Sequence, residues 1–272
     1  MPQAISALSV SLFLVLALAP RVAADAQFLG IAVAQSAGHD ADGYVVLTGI
    51  HHSAEVSTFP HQESISVYTR WSGSGTHQVG ISIWNMDTEE TVAEAEEDVD
   101  FSPTAVTSFI KVFPHATFPG VGTYAVEVTL DGDLAAEYSL YVNVNDSYPD
   151  TPELVLSVPA RDGAVDGAGN VSVEGIPDIF SFPRFPARES FELVTLWFSG
   201  EGSHVQRMEI LDPTGVPIAR SSRQEIKADY GKLELLTDSF SNVQLNARGV
   251  YTVVVYLDGE DVFEYPLPVK VN

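Results

Sequence analysis

The stretch Phe59-Pro60-His61-Gln62-Glu63-Ser64-Ile65-Ser66-Val67-Tyr68-Thr69-Arg70-Trp71 returns as Phe185-Pro186-Ala187-Arg188-Glu189-Ser190-Phe191-Glu192-Leu193-Val194-Thr195-Leu196-Trp197. One module is therefore written twice, and whatever fold suits one copy must suit the other. Gly49-Ile50 and Gly175-Ile176 stand at the same offset of 126 residues as the two Phe-Pro pairs. Past Phe198 the offset becomes 127, as His77 and His204 show, so one residue has been inserted near Phe198. A one-residue slip inside a strand would turn every later side chain to the opposite face, and the glycine turn after Trp197 is a place to absorb it.

The repeated stretch has a period of two. Ile65, Val67, Thr69 and Trp71 alternate in the first copy, and Phe191, Leu193, Thr195 and Trp197 in the second. This predicts strands with one buried face and puts Trp71 and Trp197 in the cores. Trp84 lies one position off the Val79-Ile81-Ile83 face and is the more exposed indole. Later, Gly122-Thr123-Tyr124 matches Gly249-Val250-Tyr251, and the strands that follow stop at Asp131-Gly132 and Asp258-Gly259. Asp-Gly supplies the positive φ of a tight hairpin. The last strand carries Pro266 and Pro268 at alternate positions, which predicts a sheet edge or a partly irregular strand.

The copies differ most between Asp87 and Asp100, where copy one has eight acids and no base. Taken alone that run resembles an acidic helix. Its counterpart opens on Asp212-Pro213-Thr214-Gly215, a turn signal, so strand-turn-strand is expected in both copies. With about seven or eight strands per module, the expected fold is all-β: two tandem antiparallel β-sandwich domains. The expected boundaries are copy one over 27–145, a proline-rich acidic linker over 146–153, and copy two over 154–272.

Residues 1–26 read as a signal peptide. An apolar run from Ala4 to Ala19 is followed by Pro20 and small residues ending at Val22-Ala23-Ala24 or Ala24-Asp25-Ala26. No Lys or Arg precedes the run, but it is shorter than a membrane span, which favours cleavage over a retained anchor. The chain has no cysteine, which excludes disulfides and thiol catalysis, and export without disulfides fits a secreted or periplasmic bacterial protein. Against 13 basic residues stand 37 acidic ones, a net charge of −24, which excludes nucleic acid as a partner because phosphate contacts need a basic surface.

Gly-x-Tyr ahead of alternating valines, at Gly122/Tyr124 and Gly249/Tyr251, resembles the sixth strand of immunoglobulin-like domains. Gly120 and Ala247 stand where that motif commonly opens on aspartate, and its two cysteines are missing. The whole module, with its opening strand, Gly-Ile, Phe-Pro and Gly-x-His landmarks, also resembles a bacterial family of domains of unknown function. The resemblance implies a tandem of immunoglobulin-like β-sandwiches and brings no catalytic residues with it.

Six of the seven histidines fall in copy one, and His51-His52 beside Asp40 and Asp42 invites a metal reading. No ligand pair shows the spacing such a site needs, and Pro177-Asp178 replaces the two histidines in copy two, so no metal and no cofactor is expected. His51, His52 and Trp84 remain the candidate ligand-binding residues. His77 and His204 follow the glycine turn in both copies and are expected to hydrogen-bond the turn backbone. Gly73-Ser74-Gly75 lacks the spacing of a nucleophile elbow, and no catalytic set is visible. The expected function is a non-catalytic binding or structural protein, with a carbohydrate-binding accessory protein as the alternative and a hydrolase last. A protein or glycan partner fits either of the first two. Self-association is also expected to be open to this chain, through Arg220, Arg223, Lys227 and Lys232 against the Asp87 to Asp100 segment.

Overall fold

The computed structural model describes residues 26–144, 151–167, 169–198, 200, 202–227 and 231–272. The predicted signal peptide up to Asp25 and linker residues 146–150 lie outside the described residues. Every helix or strand among the described residues is a strand. Copy one contains β1 (Gln27–His39), β2 (Val45–Ile50), β3 (Ser53–Ala54), β4 (His61–Ser72), β5 (Gly75–Asn85), β6 (Thr91–Phe101), β7 (Thr107–Phe118), β8 (Gly122–Leu130) and β9 (Asp133–Val142). Copy two contains β10 (Glu153–Ala160), β11 (Asp162–Val165), β12 (Val171–Ile176), β13 (Phe180–Phe182), β14 (Ala187–Phe198), β15 (Ser203–Leu211), β16 (Pro217–Arg220), β17 (Gln224–Lys227), β18 (Leu233–Leu245), β19 (Gly249–Leu257) and β20 (Glu260–Val271). The acidic run of copy one is a strand, β6, and not a helix.

In copy one the order β2-β1-β4-β7 makes one layer and β3-β9-β8-β5-β6 the other. Copy two repeats this with β10-β14-β18 facing β13-β20-β19-β15-β16, β17 also pairing with β15. β1 is long enough to pair with β4 along its first half and with β2 along its second. Its counterpart breaks at Arg161 into β10, which pairs with β14, and β11, which pairs with β12.

The repeated landmarks have local causes. Gly49 and Gly175 adopt φ of 65° and 73°. A Cβ there would stand 2.8 Å from the Gln35 side chain or 2.6 Å from that of Arg161, residues that occupy equivalent places in the two copies. Only glycine combines that conformation with that approach. Both Phe-Pro bonds are cis. Tyr124 donates its hydroxyl to the Gly120 carbonyl at 2.7 Å, and Tyr251 to Ala247 at 3.0 Å, tying strand to preceding turn in each copy. Asp131-Gly132 and Asp258-Gly259 have the positive φ values expected of their hairpins.

One expectation needs correction. The repeated strands have both faces buried, not one: every residue from Ile65 to Trp71 is buried, and so is every residue from Leu193 to Phe198. The extra face is the contact between copies. Val194, Leu196 and Phe198 join the copy-one core, while Leu193 and Trp197 belong to the core of copy two. Leu29 and Val106 of copy one pack into the second core in return. β20 lies between β13 and β19 in sheet order, yet along Glu260 to Pro268 it pairs with β19 alone and is the sheet edge expected of its prolines. Pro266 and Pro268 face β19 at Thr252 and Val250, while β13 reaches only Val269 to Val271 and leaves the proline stretch uncovered on its other side.

The cores close around their tryptophans differently. Trp71 Nε1 donates to Thr69 Oγ1 at 2.8 Å. Trp197 Nε1 instead donates to Gln206 Oε1 at 2.5 Å, which also accepts from Thr195 at 2.7 Å, and Gln206 Nε2 donates to Asp238 at 2.9 Å. Gln224 donates to the other oxygen of Asp238 at 2.8 Å. Copy one has Val79 where copy two has Gln206, and a Lys111–Glu97 ion pair where copy two has Asp238 and Gln224. Gln206 is fully buried, so replacing it by leucine strands the indole N–H and one carboxylate oxygen together. Gln206→Leu is expected to lower unfolding stability by about 3 kcal/mol in denaturant titration, and an unchanged midpoint would show that the network is dispensable.

Candidate functional site

The two copies meet through backbone as well as side chains. β2 pairs antiparallel with β12, so that β11-β12-β2-β1-β4-β7 runs as a single six-stranded sheet through both copies. Leu47 pairs with Val173, its own counterpart, and Val46 and Thr48 pair with Glu174 and Ser172, each other's counterparts. The pairing therefore has an approximate two-fold axis near Leu47. At the rim, the Arg161 guanidinium lies 3.9 Å above the Tyr44 ring and 3.3 Å from Asp42, again joining one copy to the other.

Inside this junction lies Arg70, 1% exposed, donating from Nη2 to the Pro177 carbonyl at 3.0 Å. Beside it the Tyr68 and Ser108 hydroxyls are 3.2 Å apart, and Ser108 donates to Asp178 at 2.6 Å. Burial, the largest influence, raises the Tyr68 pKa. Sequence reasoning missed this polar bridge. Its signal was a base, Arg70, at the place where the other copy has Leu196.

His51 and His52 are not an exposed pair. His51 Nδ1 donates to the Gly49 carbonyl at 3.0 Å, and His52 is buried at the junction. The His52 ring lies 3.9 Å from Phe198 of copy two and 4.5 Å from Tyr138, with Tyr141 completing an aromatic box. Neither ring nitrogen of His52 has a hydrogen-bond partner. Burial, and secondarily the neighbouring His51, push its pKa down to about 3, so it is neutral. A ligand reaches neither nitrogen without opening the junction. Trp84 is half-buried on the side of β5 opposite Ile81 and Ile83, two strands away from the β9 side of the box, so the candidate ligand residues do not converge. No group of three or more His, Cys, Asp or Glu arranged to hold a metal ion occurs among the described residues.

The structure does bring together a cleft that sequence reasoning did not find. It measures about 360 Å³, and both copies line it: Ser72, Gly73 and the Ser102 to Ala105 turn from one, Thr252, Glu264, Pro266 and Pro268 from the other. Its lining offers hydroxyls, proline rings and one carboxylate, but no histidine or lysine to act as a base. Such a surface can bind and orient a small polar molecule.

His77 and His204 have a structural role. His77 Nδ1 lies 2.7 Å from Asp131 and Nε2 lies 3.1 Å from the Ser74 carbonyl. Both partners only accept, so hydrogen bonding on both sides requires the doubly protonated ring. The His77 hydrogen bond, with help from the Gln78 N–H, holds Asp131 below the usual carboxylate range. His204 does the same for Asp258 at 2.8 Å.

Residues 30–143 and 161–270 each match a family described as "Family of unknown function (DUF6941)". The chain belongs to this family. The second DUF6941 segment opens at Arg161, where the counterpart of β1 breaks, and so leaves β10 outside it. Comparison with curated proteins gave no match. Among solved structures, a glycosyl hydrolase family 2 member from Bacteroides cellulosilyticus DSM 14838 is similar at 12% identity and a TM-score of 0.33, over 75% of this chain and 28% of that one. A second crystal structure of a family 2 member from Bacteroides cellulosilyticus gives 12% identity and a TM-score of 0.28, over 75% of this chain and 26% of that one. The DUF6941 chain thus spans little more than a quarter of those proteins, and likeness at this level carries no functional argument.

The His52 box makes the junction acid-sensitive. The folded state keeps His52 neutral down to about pH 3, whereas the unfolded chain takes up a proton near the ordinary value of 6.5. The unfolded state binds more protons in that window, so stability falls as pH drops below about 6.5. Between pH 6.5 and 5, above the range where Asp131 and Asp258 titrate, the contribution of His52 to that loss approaches about 1.4 kcal/mol per pH unit. Denaturant unfolding of His52→Leu is expected to show a flatter dependence in that window. An identical slope would remove His52 as the cause.

Proposed function

We propose that this DUF6941 protein is a non-catalytic binding protein that acts outside the cytoplasm, secreted or periplasmic, and that the cleft between its two copies is the binding site. The observation that carries this reading is the cleft itself: both walls belong to elements fixed by β2–β12 pairing and by the shared cores. Walls that do not move on binding spare the ligand an ordering cost. A volume of about 360 Å³ suits a small molecule or a few residues of an extended chain. Hydroxyl groups and a single carboxylate, Glu264, suit a neutral or cationic polar ligand better than an anion.

Each copy is read as an immunoglobulin-like sandwich. The tyrosine-to-turn bonds of Tyr124 and Tyr251 support this, since they match the corner such domains place before their sixth strand. Export is supported by the apolar run before Pro20 and the lack of cysteine.

The test is a ligand screen by protein-observed NMR, with monosaccharides, disaccharides and short uncharged or basic peptides. Thr252→Trp, which fills the cleft, serves as the blocked variant. Shifts confined to the cleft and abolished by Thr252→Trp are expected. Binding that survives in the blocked variant, or turnover of the bound compound, would overturn the reading. A glycan that is lost instead on Trp84→Ala would move the site to the outer face of β5.

A further inference from the structure

We infer that the protein assembles head to tail, the acidic edge strand β6 of one molecule adding to the basic edge formed by β16 and β17 of the next. The two edges occupy the same place in the two copies. β6 closes one end of β3-β9-β8-β5-β6, and β16 with β17 closes the same end of β13-β20-β19-β15-β16. Among the described residues each pairs with only one neighbour, β5 or β15, which leaves the outer side of each strand open for backbone pairing.

Alternation sorts the side chains on these edges. Ala93, Ala95 and Val99 pack against the core of copy one, so Glu94, Glu96, Asp98 and Asp100 stand together on the solvent face of β6, all exposed. On the other edge Ile226 is buried, which turns Arg223 and Lys227 outward, both exposed. Arg220 precedes them and pairs with Glu209 at 2.7 Å. Glu225 lies between Arg223 and Lys227 and pairs with Lys227 at 3.8 Å, and the row Arg220, Arg223, Glu225 and Lys227 is still net basic in a chain with a net charge of −24. Pro217, which has no N–H, closes the start of β16, so the docking stretch is Ile218 to Lys227.

Charge on an edge strand ordinarily prevents pairing. That protection works when every edge carries the same sign. Here it blocks β6 against β6 and the basic edge against itself, but it leaves the unlike pairing attractive. A row of four like charges on one strand face is relieved when opposite charge stands across from it. Because the acidic and basic edges are different surfaces of one molecule, the contact is heterologous and extends into open chains. The inference is separate from the cleft reading, since neither edge contributes to the cleft.

Sedimentation velocity of the purified protein at about 20 mM and about 500 mM salt tests it, because those conditions lie on either side of effective screening. Species larger than the monomer are expected at low salt and loss of them at high salt. Two edge-neutral variants separate this from nonspecific clustering: E94Q/E96Q/D98N, and R223Q/K227Q, which spares Arg220 and the buried Glu209. Each alone is expected to associate at least tenfold more weakly than the parent. Mixed together they retain one competent junction and are expected to stop at a heterodimer. A parent that stays monomeric at low salt, or variants that associate as the parent does, would overturn the inference. The substituted side chains are exposed, and far-ultraviolet circular dichroism checks that both variants fold.

Discussion

The backbone pairing of β2 with β12 determines how everything else in the molecule sits. Without it, two modules joined by a short proline-rich link would be free to turn relative to one another. With it, a six-stranded sheet runs from one copy into the other, and the flanking layers must pack back to back. That packing explains why β4 and β14 are buried on both faces, why Leu29 and Val106 leave their own copy for the other core, and why a cleft lined by both copies opens between Ser72 and Thr252.

Hydrophobic burial and hydrogen bonding share the junction unequally. Phe198 enters the box of His52, Tyr138 and Tyr141, and supplies apolar area that only a neutral imidazole can accompany. Arg70 sits in the same junction with one carbonyl partner, beside the hydrogen bond from Ser108 to Asp178. Buried charge of this kind costs more than its contacts return when its partners are few. It fixes one arrangement of the copies, because Pro177 must lie where the guanidinium needs a carbonyl.

Much of the fold was legible in the sequence. A constant offset aligned the copies, period-two alternation placed Trp71 and Trp197 in their cores, and Asp-Gly marked both hairpins. The repeat also identified β6 as a strand where composition alone suggested a helix. The junction was not legible, because an apolar row on a second strand face looks like a core row, and the row Ser66-Tyr68-Arg70 hid in copy one what Val194-Leu196-Phe198 showed in copy two. His51 and His52 looked like loop residues since histidine is polar; only the closeness of His52 to Phe198, set by the other copy, reveals the burial of His52. The cleft was invisible for the same reason: its walls are close in space but more than a hundred residues apart in the chain.

The approximate two-fold axis near Leu47 has a consequence for how the two copies are free to differ. Two separate molecules meeting on such an axis would be bound to identical surfaces, so an arginine at position 70 would be buried twice, each with its charge to satisfy. Joining the copies in one chain removes that bond of sameness. One side of the axis holds Arg70 and His52 while the other holds Leu196 and Asp178, and the protein has a front and a back that no pair of identical subunits related by that axis could have.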